Sequence, residues 1–285
     1  AKGVGARVAR PRKSLASMKG VLKVLHRLPL LTAIPTTAGT GSEATLAAVI
    51  SNPETHEKYP INDHSLIPHL AVLDPELTRK LPKQMTATTG MDALTHAVEA
   101  YIGRSNTKET ERDAIEATRI IMQDLVAVYA DGDDVARRGN MLKAAYLAGK
   151  AFTRAYVGYV HAIAHTLGGF YGIPHGLANS VILPHVLDYF GASAEKRLAD
   201  LARKSKAVDE TLDDASAAKT FIARIRAMNK SMAIPETLAG IKSEDVPLMV
   251  ERALSEANPL YPVPRILNKQ ELTEVFVLIS NGSIV

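Results

Sequence analysis

Apolar residues recur every three or four positions through most of the chain after about residue 82, with polar residues between them. This spacing lines one face of a helix and is typical of helices that pack on a core. It predicts helices over 83–103, 108–131, 133–154 and 160–169, one beginning near residue 175, and then 194–206, 211–230, 243–258 and 269–278. The pattern indicates an all-helical region from residue 80 to residue 285.

Before that point the apolar runs are short and are separated by turn residues. They predict strands at 30–35, 45–51, 58–61 and 69–74, the first of them buried, and a helix that starts at Pro75. The spacing of four apolar residues predicts a short surface helix over Leu15, Met18, Leu22 and Leu25. Residues 1–9 have the character of the tail of a helix. We therefore expect a small α/β domain over 1–79, followed by an all-α domain.

The composition narrows the class of protein. A chain of 285 residues with 46% hydrophobic residues can bury the core of one large or two smaller domains. The sequence has no run of 18 apolar residues and no start typical of a signal peptide, so we expect a cytoplasmic protein without membrane contact. It has no cysteine. Any metal ligands must therefore come from histidines and carboxylates.

Charge is unevenly distributed. The net charge is +4, yet residues 1–42 hold eight Lys or Arg and no acidic residue. Such a start can be a phosphate-facing segment or a nucleic-acid patch, or simply a solvated face whose acidic counterparts lie elsewhere. Those 42 residues contain no aromatic side chain, so base stacking has no support and we expect no nucleic-acid partner.

Three histidines fall within fifteen residues. His161 and His165 are one helical turn apart in an apolar segment, and His175 follows ten residues later. Helix-breaking residues lie between them and predict that His175 opens a new helix: Gly168, Gly169, Gly172 and Pro174. Burying an unpaired imidazole costs a few kcal/mol, so this density indicates a metal site.

A similar spacing occurs upstream, where Asp92 and His96 lie in the segment GMDALTHAVEAY. One carboxylate and three imidazoles form a ligand set suited to Fe²⁺ or Zn²⁺ and leave an open coordination position. Each pair alone is also common on ordinary helix surfaces. A zinc-protease motif is disfavoured because Ala162 stands where that motif requires Glu.

The segment TTAGTGSE at 36–43 follows the first predicted strand. Its glycines and hydroxyl side chains can cradle a phosphate, although a plain turn between strands explains them equally well. Lys58 can reach a phosphate or merely cover a sheet edge.

With these motifs in view, the sequence resembles the iron-containing (group III) alcohol dehydrogenase family. The resemblance rests on PTTAGTGSE at 35–43, GMDALTHAVEAY at 90–101 and HAIAHTLGGFYGIPHGLAN at 161–179, and it covers nearly the whole chain. It implies an N-terminal nucleotide-binding α/β domain and a larger helical domain of the dehydroquinate synthase type, with the active site between them.

The resemblance also implies roles for individual residues. Asp92, His96, His161 and His175 match the four metal ligands, and His165 matches a nearby histidine suited to proton transfer. The residues that match NAD(P) contacts are Thr36, Thr37, Gly39, Thr40, Ser42 and Lys58. The implied reaction interconverts a small alcohol and an aldehyde or ketone by hydride transfer. We also expect a homodimer.

One departure concerns the cofactor. The family's Gly-Gly-Gly-Ser-x-x-Asp segment, which holds the pyrophosphate, is not in this sequence. The resemblance thus implies that the N-terminal half of the nucleotide-binding domain is missing, which leaves the affinity for NAD(P) open. The alternative hypothesis is a non-catalytic metal-binding remnant. A lyase like dehydroquinate synthase matches the motifs less closely.

Overall fold

The computed structural model describes residues 1–52 and 57–280, and of residues 57 and 58 it describes only the backbone. The N-terminal part begins with helix α1 (Lys2–Ala9). A three-stranded sheet follows, with the strands Gly20–Val21 (β1), Ala47–Asn52 (β3) and Glu57–Asn62 (β4). Its order is β1-β4-β3, in which β1 runs parallel to β4 and β3 antiparallel to it. A separate parallel pair is formed by Thr32–Ala33 (β2) and Leu70–Ala71 (β5).

The helix predicted from Leu15 to Leu25 is wrong. That segment holds one 3₁₀ turn, Ala16–Met18, and then β1. The backbone N–H groups of Val24 and Leu25 donate to the carboxylate of Asp63, at 3.0 and 2.9 Å. A remote side chain therefore satisfies groups that a helix would have bonded internally.

The buried strand predicted over 30–35 is also wrong in part. Only Thr32–Ala33 pairs, and Leu30 and Ile34 are 75% and 53% exposed. Because β2 pairs only with the two-residue β5 in the described part of the chain, its apolar neighbours gain no covering layer. Pro75 opens a short 3₁₀ helix, Pro75–Thr78.

The helical predictions after residue 82 are confirmed. The helices are Lys83–Ile102 (α2), Lys108–Ala130 (α3), Val135–Ala155 (α4), Tyr159–Tyr171 (α5), His175–Phe190 (α6), Ala192–Lys204 (α7), Asp214–Ser231 (α8), Val246–Ala257 (α9) and Lys269–Ile279 (α10). Local signals fix their ends. Thr107 and Asn268 form capping boxes at the starts of α3 and α10. Gly172 adopts a left-handed conformation that ends α5.

Two hydrophobic clusters form the interior of the described residues. The smaller one lies in the N-terminal part and includes Met18, Ile61 and Leu66. The larger one runs through α2 to α10. The division of the chain into domains at residue 80 stays a prediction. No helix within 1–52 and 57–280 has the length and hydrophobicity needed to cross a bilayer.

Candidate metal centre

Three helices bring the predicted ligands together. Asp92 and His96 lie one turn apart on α2, a helix buried along most of its length. His161 lies in the first turn of α5, and His175 is the first residue of α6. Gly176 lets α6 approach α2 closely, because a Cβ there would lie 2.5 Å from the carbonyl oxygen of Thr88, one turn before Asp92.

The ligand atoms of these residues are close. Asp92, His96 and His161 each offer one atom, and these atoms all lie within 4.8 Å of one another. His175 Nε2 lies 3.5 Å from Asp92 Oδ1. The His96 ring stacks between Phe152 and His161, with centroid distances of 4.2 and 4.4 Å.

Three atoms of the predicted ligands lie around the amide nitrogen of Asn179. Asn179 Nδ2 donates to Asp92 Oδ1 at 2.6 Å and lies 3.3 Å from His161 Nε2 and 3.1 Å from His175 Nε2. In addition, His96 Nδ1 is buried without a hydrogen-bond partner. A largely buried set of one carboxylate and three imidazoles, with Asp92, His161 and His175 directed at one point and His96 beside them, fits a divalent cation such as Fe²⁺ or Zn²⁺. The role of these residues as metal ligands stays a prediction.

Glu99 holds His161 from the side away from Asp92. Its Oε2 lies 2.6 Å from His161 Nδ1, and its Oε1 accepts the N–H of Val160 at 2.8 Å. Gly158 makes room for this carboxylate, since a Cβ at that position would lie 2.7 Å from Oε1. A carboxylate that accepts the Nδ1 proton leaves the lone pair on Nε2, the atom that faces Asp92.

Burial sets the charge state of the cluster. Desolvation lowers the pKa of His96 to about 4 and that of His161 well below 6.5, so both imidazoles are neutral at neutral pH. Burial also acts on the Asp92 carboxyl, but the surrounding histidines and Asn179 outweigh it and hold the pKa of Asp92 below its ordinary value. Desolvation raises the pKa of Glu99 to about 7, against the hydrogen bonds from Gly158 and Val160.

One side of the cluster is more open than the others. The side chains of Asp92 and His161 are 3% exposed, whereas those of His175 and His165 are 33% and 27% exposed. The His165 ring stacks on that of His175 with a centroid distance of 5.2 Å. These two rings therefore border the more exposed side of the cluster.

The segment TTAGTGSE packs against the same helix. A Cβ on Gly39 would lie 2.7 Å from Thr89, which is one turn before Asp92, and the side chains of Thr36, Thr40 and Ser42 are exposed. Gly41 has a positive φ of 57° and lies against α4, with Ala145 O 2.4 Å from the position of a Cβ. Thr37 is partly buried. The side chain of Lys58 lies outside the described part of the chain.

Sequence reasoning assigned no role to Glu99, Asn179 or Glu256. Glu99 could have been found, because it lies three residues after His96 and seven after Asp92, on the same face of α2. Asn179 likewise lies one turn after His175. Glu256 is on α9, and nothing in its local sequence indicates its contact with His165.

Comparison with known proteins assigns the family. The model of the Fe-containing alcohol dehydrogenase family, C-terminal, matches residues 86–279, and that of iron-containing alcohol dehydrogenase matches residues 1–75. The chain belongs to the iron-containing alcohol dehydrogenase family. The resemblance of its motifs to this family is thereby confirmed, as is the class of fold.

Named members of the family match most of the chain. The 1,3-propanediol dehydrogenase of Citrobacter freundii is 40% identical over 277 residues, which are 96% of this chain and 71% of that protein. The NAD-dependent methanol dehydrogenase of Bacillus methanolicus is 37% identical over 90% of this chain and 68% of its own length. The solved alcohol dehydrogenase from Oenococcus oeni is 36% identical and covers 98% of this chain and 73% of its own, with a TM-score of 0.92. These relatives favour an alcohol dehydrogenase over the non-catalytic remnant.

Proposed function

We propose that this chain interconverts an alcohol and an aldehyde or ketone by metal-dependent hydride transfer with NAD(P). The observation that carries the proposal is the convergence of Asp92, His161 and His175 on one point, with His96 beside them. Membership of the iron-containing alcohol dehydrogenase family supports it.

In this proposal Asp92, His96, His161 and His175 hold Fe²⁺, with Zn²⁺ as the alternative cation. When bound, the cation supplies a Lewis acid and NAD(P) supplies the hydride acceptor or donor. The buried residues contribute a water-poor environment that strengthens charge interactions around the substrate oxygen. Glu99 keeps the Nε2 atom of His161 directed into the cluster.

His165 is the proposed proton carrier. Its ring lies at the open side of the cluster, stacked on His175, so it borders the path by which a small alcohol enters. In alcohol oxidation the substrate hydroxyl loses a proton, and in the reverse direction the oxygen regains it. An imidazole at this position can accept and return that proton.

The proposed cofactor contacts are in the glycine and threonine loop, which packs on α2 and α4 with exposed hydroxyl groups. They are Thr36, Thr37, Gly39, Thr40 and Ser42, and the proposal adds Lys58, which belongs to β4 and not to this loop. Backbone N–H groups and hydroxyls in such a loop suit the phosphates of a dinucleotide. Location in the cytoplasm and assembly as a homodimer stay predictions from the sequence.

The test measures turnover and binding together. The chain is purified without chelators and loaded with Fe²⁺ or Zn²⁺. NAD(P)H formation is then followed with short alcohols, and NAD(P)⁺ is titrated separately. We expect metal-dependent turnover that is lost in Asp92→Asn and kept in Glu251→Gln, an exposed control on α9. Retained metal with neither turnover nor nucleotide binding would overturn the proposal in favour of the remnant.

A further inference from the structure

Three side chains form a hydrogen-bonded group beside the metal cluster. His165 Nδ1 lies 2.7 Å from Glu256 Oε1, and the hydroxyl of Tyr261 donates to the same oxygen at 2.7 Å. His165 is one turn after His161 on α5, and Glu256 is in the last turn of α9. The carboxylate is thus held between a tyrosine on one side and an imidazole on the other.

The charges of this group define the direction of both hydrogen bonds. Burial acts to raise the pKa of Glu256, but His165 and Tyr261 outweigh it, and the pKa lies below its ordinary value. An ionised carboxylate can only accept. Burial beside Glu256 raises the pKa of Tyr261 well above 10, so its hydroxyl stays protonated and donates. The hydrogen atom in the 2.7 Å contact with Glu256 therefore belongs to Nδ1 of His165.

The location of His165 makes this tautomer relevant to the site. The His165 ring is nearly parallel to that of His175, at an interplanar angle of 14°, and its centroid is 6.2 Å from that of His161. Glu256 approaches from α9, whereas the cluster is built on α2, α5 and α6. A contact from outside the ligand-bearing helices thus fixes a ring at the open side of the cluster.

We propose that Glu256 is a positioning residue that accepts the Nδ1–H of His165 and so holds this ring and its tautomer at the cluster, and that Tyr261 fixes the carboxylate. The inference rests on the proposed function, in which His165 carries the substrate proton. The hydroxyl O–H bond breaks, an N–H bond forms at Nε2, and the electron pair stays on the substrate oxygen. The Nδ1 proton remains shared with Glu256, whose negative charge stabilises the imidazolium.

The first test reads the tautomer directly and needs no turnover. The full chain is labelled with ¹⁵N-histidine, and the His165 signals are identified by their loss in His165→Asn. We expect the wild-type spectrum to show Nδ1–H. Glu256→Leu removes the acceptor and should shift His165 toward Nε2–H. Glu256→Gln, which can present either an oxygen or an NH₂ group, should give a mixture. A wild-type Nε2–H tautomer would overturn the proposal even if the chain proves to be an active dehydrogenase.

The second test separates positioning from metal binding. Loss of an oriented proton carrier should lower kcat of Glu256→Leu by at least about tenfold, since positioned acid–base groups contribute about 10²–10⁴-fold. Metal content and KM should stay near the wild-type values. Tyr261→Phe should show a smaller drop in kcat. Glu251→Gln, which changes an exposed glutamate on the same helix, should show none. If kcat falls only in proportion to lost metal, or if the tautomer is unchanged in Glu256→Leu, Glu256 is not the positioning residue.

If Glu256→Leu does not fold, the wild-type spectrum and the Glu256→Gln variant decide the question. If the wild-type chain shows no turnover at all, the proposed function fails, but the tautomer measurement still gives an answer on the contact between Glu256 and His165.

Discussion

The carboxylate of Glu99 lies 2.6 Å from Nδ1 of His161, on the opposite side of the ring from Asp92. Glu99 does not face the cluster itself. Its contact with Nδ1 of His161 leaves Nε2 as the nitrogen that faces Asp92. Carboxylates that orient a metal-binding histidine typically contribute 10- to 100-fold to metal affinity.

Changing Glu99 should therefore weaken metal binding. We expect Zn²⁺ affinity to fall about tenfold in Glu99→Gln, which keeps an acceptor, and up to about 100-fold in Glu99→Ala, which loses it. Competition with a chromophoric chelator measures both, and the exposed Glu251→Gln is the control. Wild-type affinity in Glu99→Ala would show that the contact has no role in metal binding.

The pH dependence of stability follows from opposite pKa shifts in the metal-free protein. The pKa of Glu99 is raised from 4.5 to about 7. The stabilisation that this shift gives to the folded state is complete below pH 4.5 and is lost as the pH rises toward 7. The pKa of His96 is lowered from 6.5 to about 4, so its contribution is complete above pH 6.5 and is lost as the pH falls toward 4. Between pH 4.5 and 6.5 the two effects oppose each other.

Glu99→Gln removes one of these effects and leaves the other. Its free energy of unfolding should therefore fall more steeply on acidification from pH 6.5 to 4.5 than that of the wild type. Urea denaturation of chelator-treated protein at several pH values measures both slopes. Parallel slopes for the two proteins would contradict the assigned shifts.

Two glycines of α4 should respond differently to the same substitution. A Cβ on Gly149 would lie 2.6 Å from the carbonyl oxygen of Gly41, and backbone on both sides prevents adjustment. Gly149→Ala should cost about 1–3 kcal/mol and weaken NAD(P) binding by displacing the loop at Thr40 and Ser42. At Gly139 the nearest atom is 3.8 Å away, so Gly139→Ala should be neutral or stabilise the helix by about 0.5–1 kcal/mol. Urea denaturation and nucleotide titration compare the two variants. Equal changes in stability and NAD(P) affinity would contradict the close contact at Gly149.

Tyr156 connects α4 to α5 with φ 64° and ψ −176°, a conformation that only glycine adopts readily. Such a residue costs about 1–3 kcal/mol, and its side chain is 39% exposed and loses little if removed. We expect Tyr156→Gly to raise the free energy of unfolding by about 1 kcal/mol over Tyr156→Ala, which keeps the strain. Thermal denaturation measures the difference, and a glycine variant less stable than the alanine variant would refute the strain.

The sequence predicted the helices well because their apolar spacing persists over many turns. It failed between Leu15 and Leu25, where the carboxylate of Asp63 binds the backbone from about forty residues away. It failed again at Leu30, because local pattern cannot show whether a strand has a partner layer. Such errors arise wherever tertiary contacts outweigh local preference.

The candidate metal ligands could be grouped from the sequence because spacing on single helices already pairs Asp92 with His96 and His161 with His165. The residues that contact these rings, Glu99 and Glu256, could not be paired with them from the sequence. Glu99 and His161 are 62 positions apart, and His165 and Glu256 are 91 apart. Only the packing of α2, α5 and α9 brings them together.

The most direct test of the account is a crystal structure of the metal-loaded chain with anomalous scattering data at the iron and zinc absorption edges. We predict a single anomalous peak bonded to Asp92, His96, His161 and His175. A peak at other residues, or bound metal by elemental assay with no peak at this cluster, would contradict it.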